Sequence, residues 1–261
     1  MLPLFIQKKL NRLRRSLWAA PMSIVPAPFR VKAKGDATIA GEIADHEKQA
    51  GYAHCAGSLP LRTLLRIEGL LPGAPINSAE TGCGKSTIFL SRIAQKHRVF
   101  CLDDRESGED SSVSYFMDCA ATRLDRVETI FGPTQVTLPL YKDHVAYDLV
   151  LIDGPHGFPF PDLEYYFFYP HLKTGGLLVI DDIQIPTIGR LAEFISEDAM
   201  FEEVECIGST AVFRRTDAPV FDPLGDGWWL QDYNRRRADF SSHIHLRDGN
   251  RRKPLTFEGR F

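Results

Sequence analysis

Two stretches, Tyr147-Asp-Leu-Val-Leu-Ile-Asp153 and Gly176-Leu-Leu-Val-Ile-Asp-Asp182, decide how this chain folds. Each is a short aliphatic run that ends in acid. Runs of this kind, punctuated by Gly or Pro, belong to interior strands of a parallel sheet covered on both faces. If the two strands are neighbours, their axes lie roughly 4.8 Å apart, and Asp153, Asp181 and Asp182 converge at one sheet edge. Carboxylates that close repel unless a cation joins them or protons neutralise them. The carboxyl end of a parallel sheet is also where open α/β folds bind ligands. A site is expected there.

Upstream, Ala79-Glu-Thr-Gly-Cys-Gly-Lys-Ser-Thr87 reads in three ways. It nearly fits a phosphate-cradling P-loop, with Gly84-Lys85-Ser86 in place and Ala79 where the first Gly belongs. It half fits a dinucleotide fingerprint, with Gly82 and Gly84 but Thr87 at the third Gly position. It also fits the acidic-x-Gly-x-Gly turn of class I S-adenosylmethionine (SAM) methyltransferases, with Glu80 as the acid that ends the strand. The sequence after the loop separates them. A helix is expected over Ile88–Gln95 and a strand over Val99–Leu102, followed by Asp103-Asp104. Asp103 stands 19 residues beyond Gly84, close to the ~20 at which a carboxylate grips a ribose diol. Val127–Phe131 reads as a third strand, closed by Gly132.

Over roughly residues 60–215 the chain resembles the class I methyltransferases. Leu172-Lys-Thr-Gly-Gly-Leu-Leu-Val-Ile-Asp-Asp182 is similar to that family's fifth strand. Glu203-Val-Glu-Cys-Ile207 with Thr210-Ala-Val-Phe-Arg214 looks like its terminal hairpin. The resemblance implies an α/β, Rossmann-like, doubly wound and mostly parallel seven-stranded sheet with a terminal antiparallel hairpin. Within the class, Asp153-Gly-Pro-His156 and Asp181-Asp182 resemble the metal-dependent small-molecule O-methyltransferases of the macrocin/sugar or catechol type. That resemblance implies SAM held by Glu80, Gly82, Gly84, Asp103, Gly132 and Asp153. It also implies Mg²⁺ on Asp153, Asp181 and Asp182, with His156 as general base towards a small-molecule acceptor hydroxyl. The bland readings of these residues are a helix cap for Asp103, capping or salt-bridging for Asp153 and Asp182, a solvated loop imidazole for His156, and a Lys85 that points to solvent.

Composition agrees. With 261 residues, 44% of them hydrophobic, the chain is long enough for one well-buried core. Cys55, Cys83, Cys101, Cys119 and Cys206 form no CxxC pair, which reads as reduced thiols in a cytoplasmic protein. No apolar run reaches the ~18 residues of a membrane span. Net charge is −3, but residues 16–213 carry 16 basic against 27 acidic groups. Such an acidic body is a poor nucleic-acid binder.

Three segments are expected. Residues 1–35 hold a basic amphipathic helix, Leu2 to Trp18, and a Pro-rich linker. That helix reads as a packing surface for its own domain or a second subunit, with weak peripheral membrane contact through residues 1–18 as the other reading. Residues 36–215 form the methyltransferase domain, with helices from about Thr38 to Tyr52 and from Leu59 to Leu70. Residues 216–261 form either a loosely ordered tail or a segment that covers substrate or a partner in a homo-oligomer. The rival functions are a P-loop nucleotide-binding protein using Gly84, Lys85, Ser86 and Asp153, a nicotinamide oxidoreductase, and a non-catalytic SAM-binding protein.

Overall fold

A computed structural model describes residues 23–24, 39–50, 59–71, 73, 76–221, 227–228, 231–237, 244–248 and 251–255. The chain alternates strand and helix. The strands are β1 (Ser23–Ile24), β2 (Ile76–Thr81), β3 (Ala94–Cys101), β4 (Val127–Phe131), β5 (Tyr147–Ile152), β6 (Leu172–Ile180), β7 (Phe201–Ile207) and β8 (Thr210–Arg215). The helices are α1 (Ile39–Ala50), α2 (Leu61–Leu70), α3 (Lys85–Ile93), α4 (Ser112–Asp118), α5 (Thr134–Leu140), α6 (Phe160–Phe168) and α7 (Pro186–Ser196). Further on lie α8 (Asp232–Arg237) and the antiparallel hairpin β9 (Ile244–Asp248)–β10 (Arg251–Leu255).

The sheet runs β1-β4-β3-β2-β5-β6-β8-β7. The five strands from β4 to β6 are parallel, and β8 enters antiparallel between β6 and β7. This is the expected seven-stranded sheet with its terminal hairpin. The two-residue β1 adds antiparallel to the β4 edge, inside the segment read as linker. Strand order reverses at β2, so β2 and β5 diverge to connections on opposite sides. That point is where doubly wound sheets open a crevice.

Side-chain alternation explains why β5 and β6 look uninterruptedly apolar. Val150, Ile152, Leu178 and Ile180 pack towards α6 and α7 with Tyr165, Phe168, Ile188 and Leu191. Leu149, Leu151, Leu177 and Val179 pack on the other face with Leu64, Ile67, Phe89 and Leu90 of α2 and α3. A strand buried on both faces has no polar position to spare. A third cluster joins Val99, Cys101 and Phe131 to Ile43, Ile88 and the aromatic residues of α4.

Two boundaries differ from expectation. Helix α3 starts at Lys85 and ends at Ile93, and β3 begins at once with Ala94. Leu102 lies outside β3 and is exposed. The expected helix over Leu2–Trp18 lies outside the described residues. Among the described residues, no helix is long and apolar enough to cross a membrane.

Phe168 is fully buried in the larger core cluster. Phe168→Ala should lower folding stability by about 3–5 kcal/mol, read from the midpoint of urea unfolding at unchanged slope.

Candidate active site at the carboxyl ends of β2, β5 and β6

The turn after β2 is built from backbone. Gly82 adopts φ 81°, and its N–H donates to Phe100 O at 3.0 Å. A Cβ at Gly82 would collide with the carbonyl oxygen of Asp153, so only glycine lets the β2 and β5 turns touch. At Gly84, the N–H donates to Thr87 Oγ1 at 2.9 Å, and that hydroxyl donates to Glu80 Oε1. Glu80 is wholly buried, its Oε1 also faces His97 Nε2 at 3.1 Å, and its Oε2 has no protein partner. Ser78 Oγ lies 2.9 Å from His97 Nδ1. These bonds are all satisfied if Nε2 carries the imidazole proton. His97 was missed in the sequence because Lys96-His-Arg98 reads as a polar surface segment.

The two acids after β3 divide their work. Asp104 accepts from Ser111 Oγ (2.8 Å), Ser112 N (2.9 Å) and Val113 N (3.0 Å) and so caps α4. Asp103 is exposed and paired side-on with Arg105, Oδ1 to Nε at 2.8 Å and Oδ2 to Nη2 at 2.5 Å. That guanidinium, which also lies 5.2 Å from the Phe131 ring centroid, holds the Asp103 carboxyl below its usual range. Gly132 follows β4 and packs on Thr137.

Lys85 does not point to solvent. Its Nζ pairs with Glu47 Oε1 of α1 at 3.0 Å, because burying the first turn of α3 under α1 leaves the ammonium a carboxylate to face. Ser86 is buried. The cation a P-loop would aim at phosphate is thus turned aside.

Parallel pairing of β5 with β6 brings Ile152 beside Ile180 and delivers the three acids to one edge. Their carboxylates then separate. Asp181 is buried, and its Oδ1 accepts from Thr210 Oγ1 of β8 at 2.6 Å. Asp182 sits at φ 59°, uncommon for a residue with a side chain. That backbone swings its carboxylate to Gln184 Nε2 at 2.6 Å and His156 Nε2 at 3.1 Å. Ligand atoms of Asp153, His156 and Asp182 lie within 4.8 Å of one another. The group that converges is therefore two carboxylates and an imidazole. Asp181 is displaced from it by β8, which was visible in the sequence only as a hairpin. Burial, then the charges of Asp181, Glu80, Asp182 and Glu164, pushes the Asp153 carboxyl well above its usual range. Burial likewise raises Asp181, offset by its Thr210 hydrogen bond.

Glu164 of α6 was also missed. It is fully buried, its Oε2 accepts from Thr81 Oγ1 at 2.7 Å, and the Thr134 hydroxyl also faces its carboxyl. Burial pushes its carboxyl up to about 7. The available signal was an acid directly before the aromatic run Tyr165-Tyr-Phe-Phe168 in Phe160-Pro-Asp-Leu-Glu-Tyr-Tyr-Phe-Phe168.

Two predictions follow from this packing. Gly82→Ala should cost more than ~1 kcal/mol of stability, since it meets both a left-handed backbone and a fixed carbonyl; thermal melting reads it. Glu164 has a raised folded pKa, so its penalty is absent below the unfolded value near 4.5 and complete above about 7. Glu164→Gln should therefore gain stability relative to wild type as pH rises from 5 to 8, by about 2–4 kcal/mol. Urea unfolding at the two pH values checks the sign and size.

Comparison with known proteins bears on the fold. Residues 79–183 match the model of a family described as a methyltransferase domain. No curated protein sequence matches the chain. Among solved structures, the O-methyltransferase from Bacillus cereus in complex with SAH is 15% identical, with a TM-score of 0.51 over 67% of this chain and 90% of that one. TomG, an O-methyltransferase from Streptomyces achromogenes involved in tomaymycin synthesis and solved with SAM, is 13% identical, with a TM-score of 0.51 over 70% and 91%. At such identities the likeness is one of fold. Residues 79–183 thus match the model of a methyltransferase-domain family, and the chain shares its fold with these solved O-methyltransferases.

Proposed function

We propose that the protein transfers the methyl group of SAM to a hydroxyl oxygen of a small molecule, with a divalent cation at Asp153 and Asp182. The observation that carries this reading is the convergence of Asp153, His156 and Asp182 beside the glycine turn. SAM would lie over the ends of β2 and β3. Gly82 and Gly84 allow close approach of its methionine portion, and the open oxygen of Glu80 offers an acceptor beneath it. Asp103 would take the ribose hydroxyls in exchange for its exposed pairing with Arg105, and Gly132 would border the adenosine side.

The donor set fits a hard divalent ion, because carboxylate oxygens dominate it. Mg²⁺ is the metal of this reading; Asp153 and Asp182 would hold it, and it would supply Lewis-acid polarisation of an acceptor hydroxyl. Asp181 contributes charge from behind, held by Thr210. His156 is 44% exposed, its Nε2 faces Asp182, and its main-chain oxygen is pinned by Thr187 Oγ1 at 2.5 Å. The imidazole would take the acceptor proton on the ring nitrogen that Asp182 does not hold, and Asp182 would stabilise the imidazolium that results. SAM bound there would supply an electrophilic methyl group on sulfur, so that the acceptor oxygen could take it directly, with SAH as the leaving group and no covalent bond to the enzyme. Two residues further on, Phe158 is 68% exposed, with the Arg190 guanidinium 5.4 Å from its ring centroid. An exposed ring at that position suits an acceptor with an apolar or aromatic skeleton.

The same convergence favours a second role for His156, as a third ligand, since one of its ring nitrogens lies within 4.8 Å of a carboxylate oxygen of Asp153 and of Asp182. Mn²⁺ titration of His156→Ala separates the two. A base leaves Mn²⁺ affinity intact while turnover falls roughly 10²–10⁴-fold; a ligand loses affinity as well.

The cofactor half is tested by calorimetry with SAH. Asp103→Ala should weaken SAH by about 1–3 kcal/mol in a folded protein, and unchanged affinity would move the ribose contact elsewhere. The metal half is tested by chelation. EDTA should stop turnover without releasing SAH, Mg²⁺ should restore it, and Asp153→Asn should behave like chelation. Full activity in EDTA would leave a metal-free methyltransferase. Stabilisation by ATP and not by SAH would revive the P-loop reading.

A further inference from the structure

Helix α6 brings one carboxylate into the sheet interior where the cofactor turn meets the Asp153 turn. Burying an unpaired carboxyl is costly, and the rest of the buried face of α6 is apolar or aromatic. Glu164 is placed with care despite that cost. Its Oε2 accepts the Thr81 hydroxyl at 2.7 Å, and the same hydroxyl oxygen accepts the main-chain N–H of Asp153 at 3.2 Å. A hydroxyl has one proton. Because Glu164 takes it, the Thr81 lone pairs are left facing Asp153. The carboxylate oxygens also fill the space that a Cβ at Gly154 would need, so the first step of the Asp153-Gly-Pro-His156 turn is braced from below.

We propose that Glu164 is a positioning residue for the Asp153–His156 turn, acting through the proton direction of the Thr81 hydroxyl. Thr81 is the last residue of β2, directly before Gly82, whose Cα abuts the Asp153 carbonyl. One hydroxyl thus ties the glycine turn to the turn that carries the acid and the imidazole. The inference rests on the proposed site in one respect only: that this turn carries reacting groups.

Hydrogen exchange of the full-length protein tests it without an acceptor or a metal. Thr81→Val, close in shape, and Glu164→Leu should each speed exchange of the Asp153 amide about tenfold or more, the scale of one lost hydrogen bond. The rise should be confined to Asp153–His156, with β5 and β6 still protected. Thr81→Ser and Glu164→Gln, which keep donor and acceptor, should stay within about threefold of wild type. The double variant Thr81→Val/Glu164→Leu should exchange no faster than either single one, since the two residues act as one unit. Unchanged exchange in both single variants would overturn the proposal. So would an additive double variant, or a rise spread evenly over β5 and β6. Mn²⁺ titration by calorimetry tests the metal reading separately. If wild type binds Mn²⁺, Glu164→Leu should bind it about tenfold more weakly while SAH affinity holds, and equal Mn²⁺ affinity would overturn the proposal. If wild type binds no Mn²⁺, the metal reading fails and the exchange result alone decides the role of Glu164.

Discussion

The contact between the main chain at Gly82 and the carbonyl of Asp153 is the constraint on which this structure turns. Parallel pairing aligns Thr81 of β2 with Ile152 of β5, so the turns that leave these strands are neighbours from the start. A side chain at Gly82 would hold them apart. With none there, two turns of different chemistry close on each other. One is a ring of backbone groups and glycines. The other is an acid, a glycine, a proline and an imidazole.

Electrostatics sets the cost of that closeness. Glu80, Asp153, Glu164, Asp181 and Asp182 gather at the ends of three adjacent strands, and desolvation raises Asp153, Glu164 and Asp181. A fold could avoid such repulsion by placing apolar residues there. Hydroxyls relieve part of it here: Thr87 on Glu80, Thr81 on Glu164 and Thr210 on Asp181. Asp153 is the acid among them whose shift is dominated by burial and by four like-charged neighbours. The sulfonium cofactor and divalent cation of the proposed function are both positive and would suit these clustered acids.

The periphery supports the same edge. Helix α1 draws Lys85 away from the glycine turn through Glu47, and Asp104 holds the start of α4, which frees Asp103 at the rim. Thr187 at the start of α7 fixes the main chain of His156. Each of these residues acts by removing an alternative: a lysine in the phosphate position, an acid used twice, a wandering loop.

Sheet, strand order class and the acids at its edge were legible in the sequence, because local patterning encodes them. Buried strands must be apolar on both faces, turns between them need glycine, and β5 and β6 each run directly into Asp. The spacing from Gly84 to Asp103 was equally local. What escaped was every decision made between distant segments. Asp181 and Asp182 are consecutive, yet one turns to Thr210 on the returning β8 and the other, through a left-handed backbone, to His156. Glu164 and His97 looked ordinary in their own segments and became buried site residues when α6 and β3 packed on the sheet. Lys85 looked solvated until α1 supplied Glu47. Local sequence determines which element a residue occupies, because propensity and periodicity act over a few residues. Only the tertiary structure decides where a side chain points and what it meets, because that is set by contacts between segments tens of residues apart.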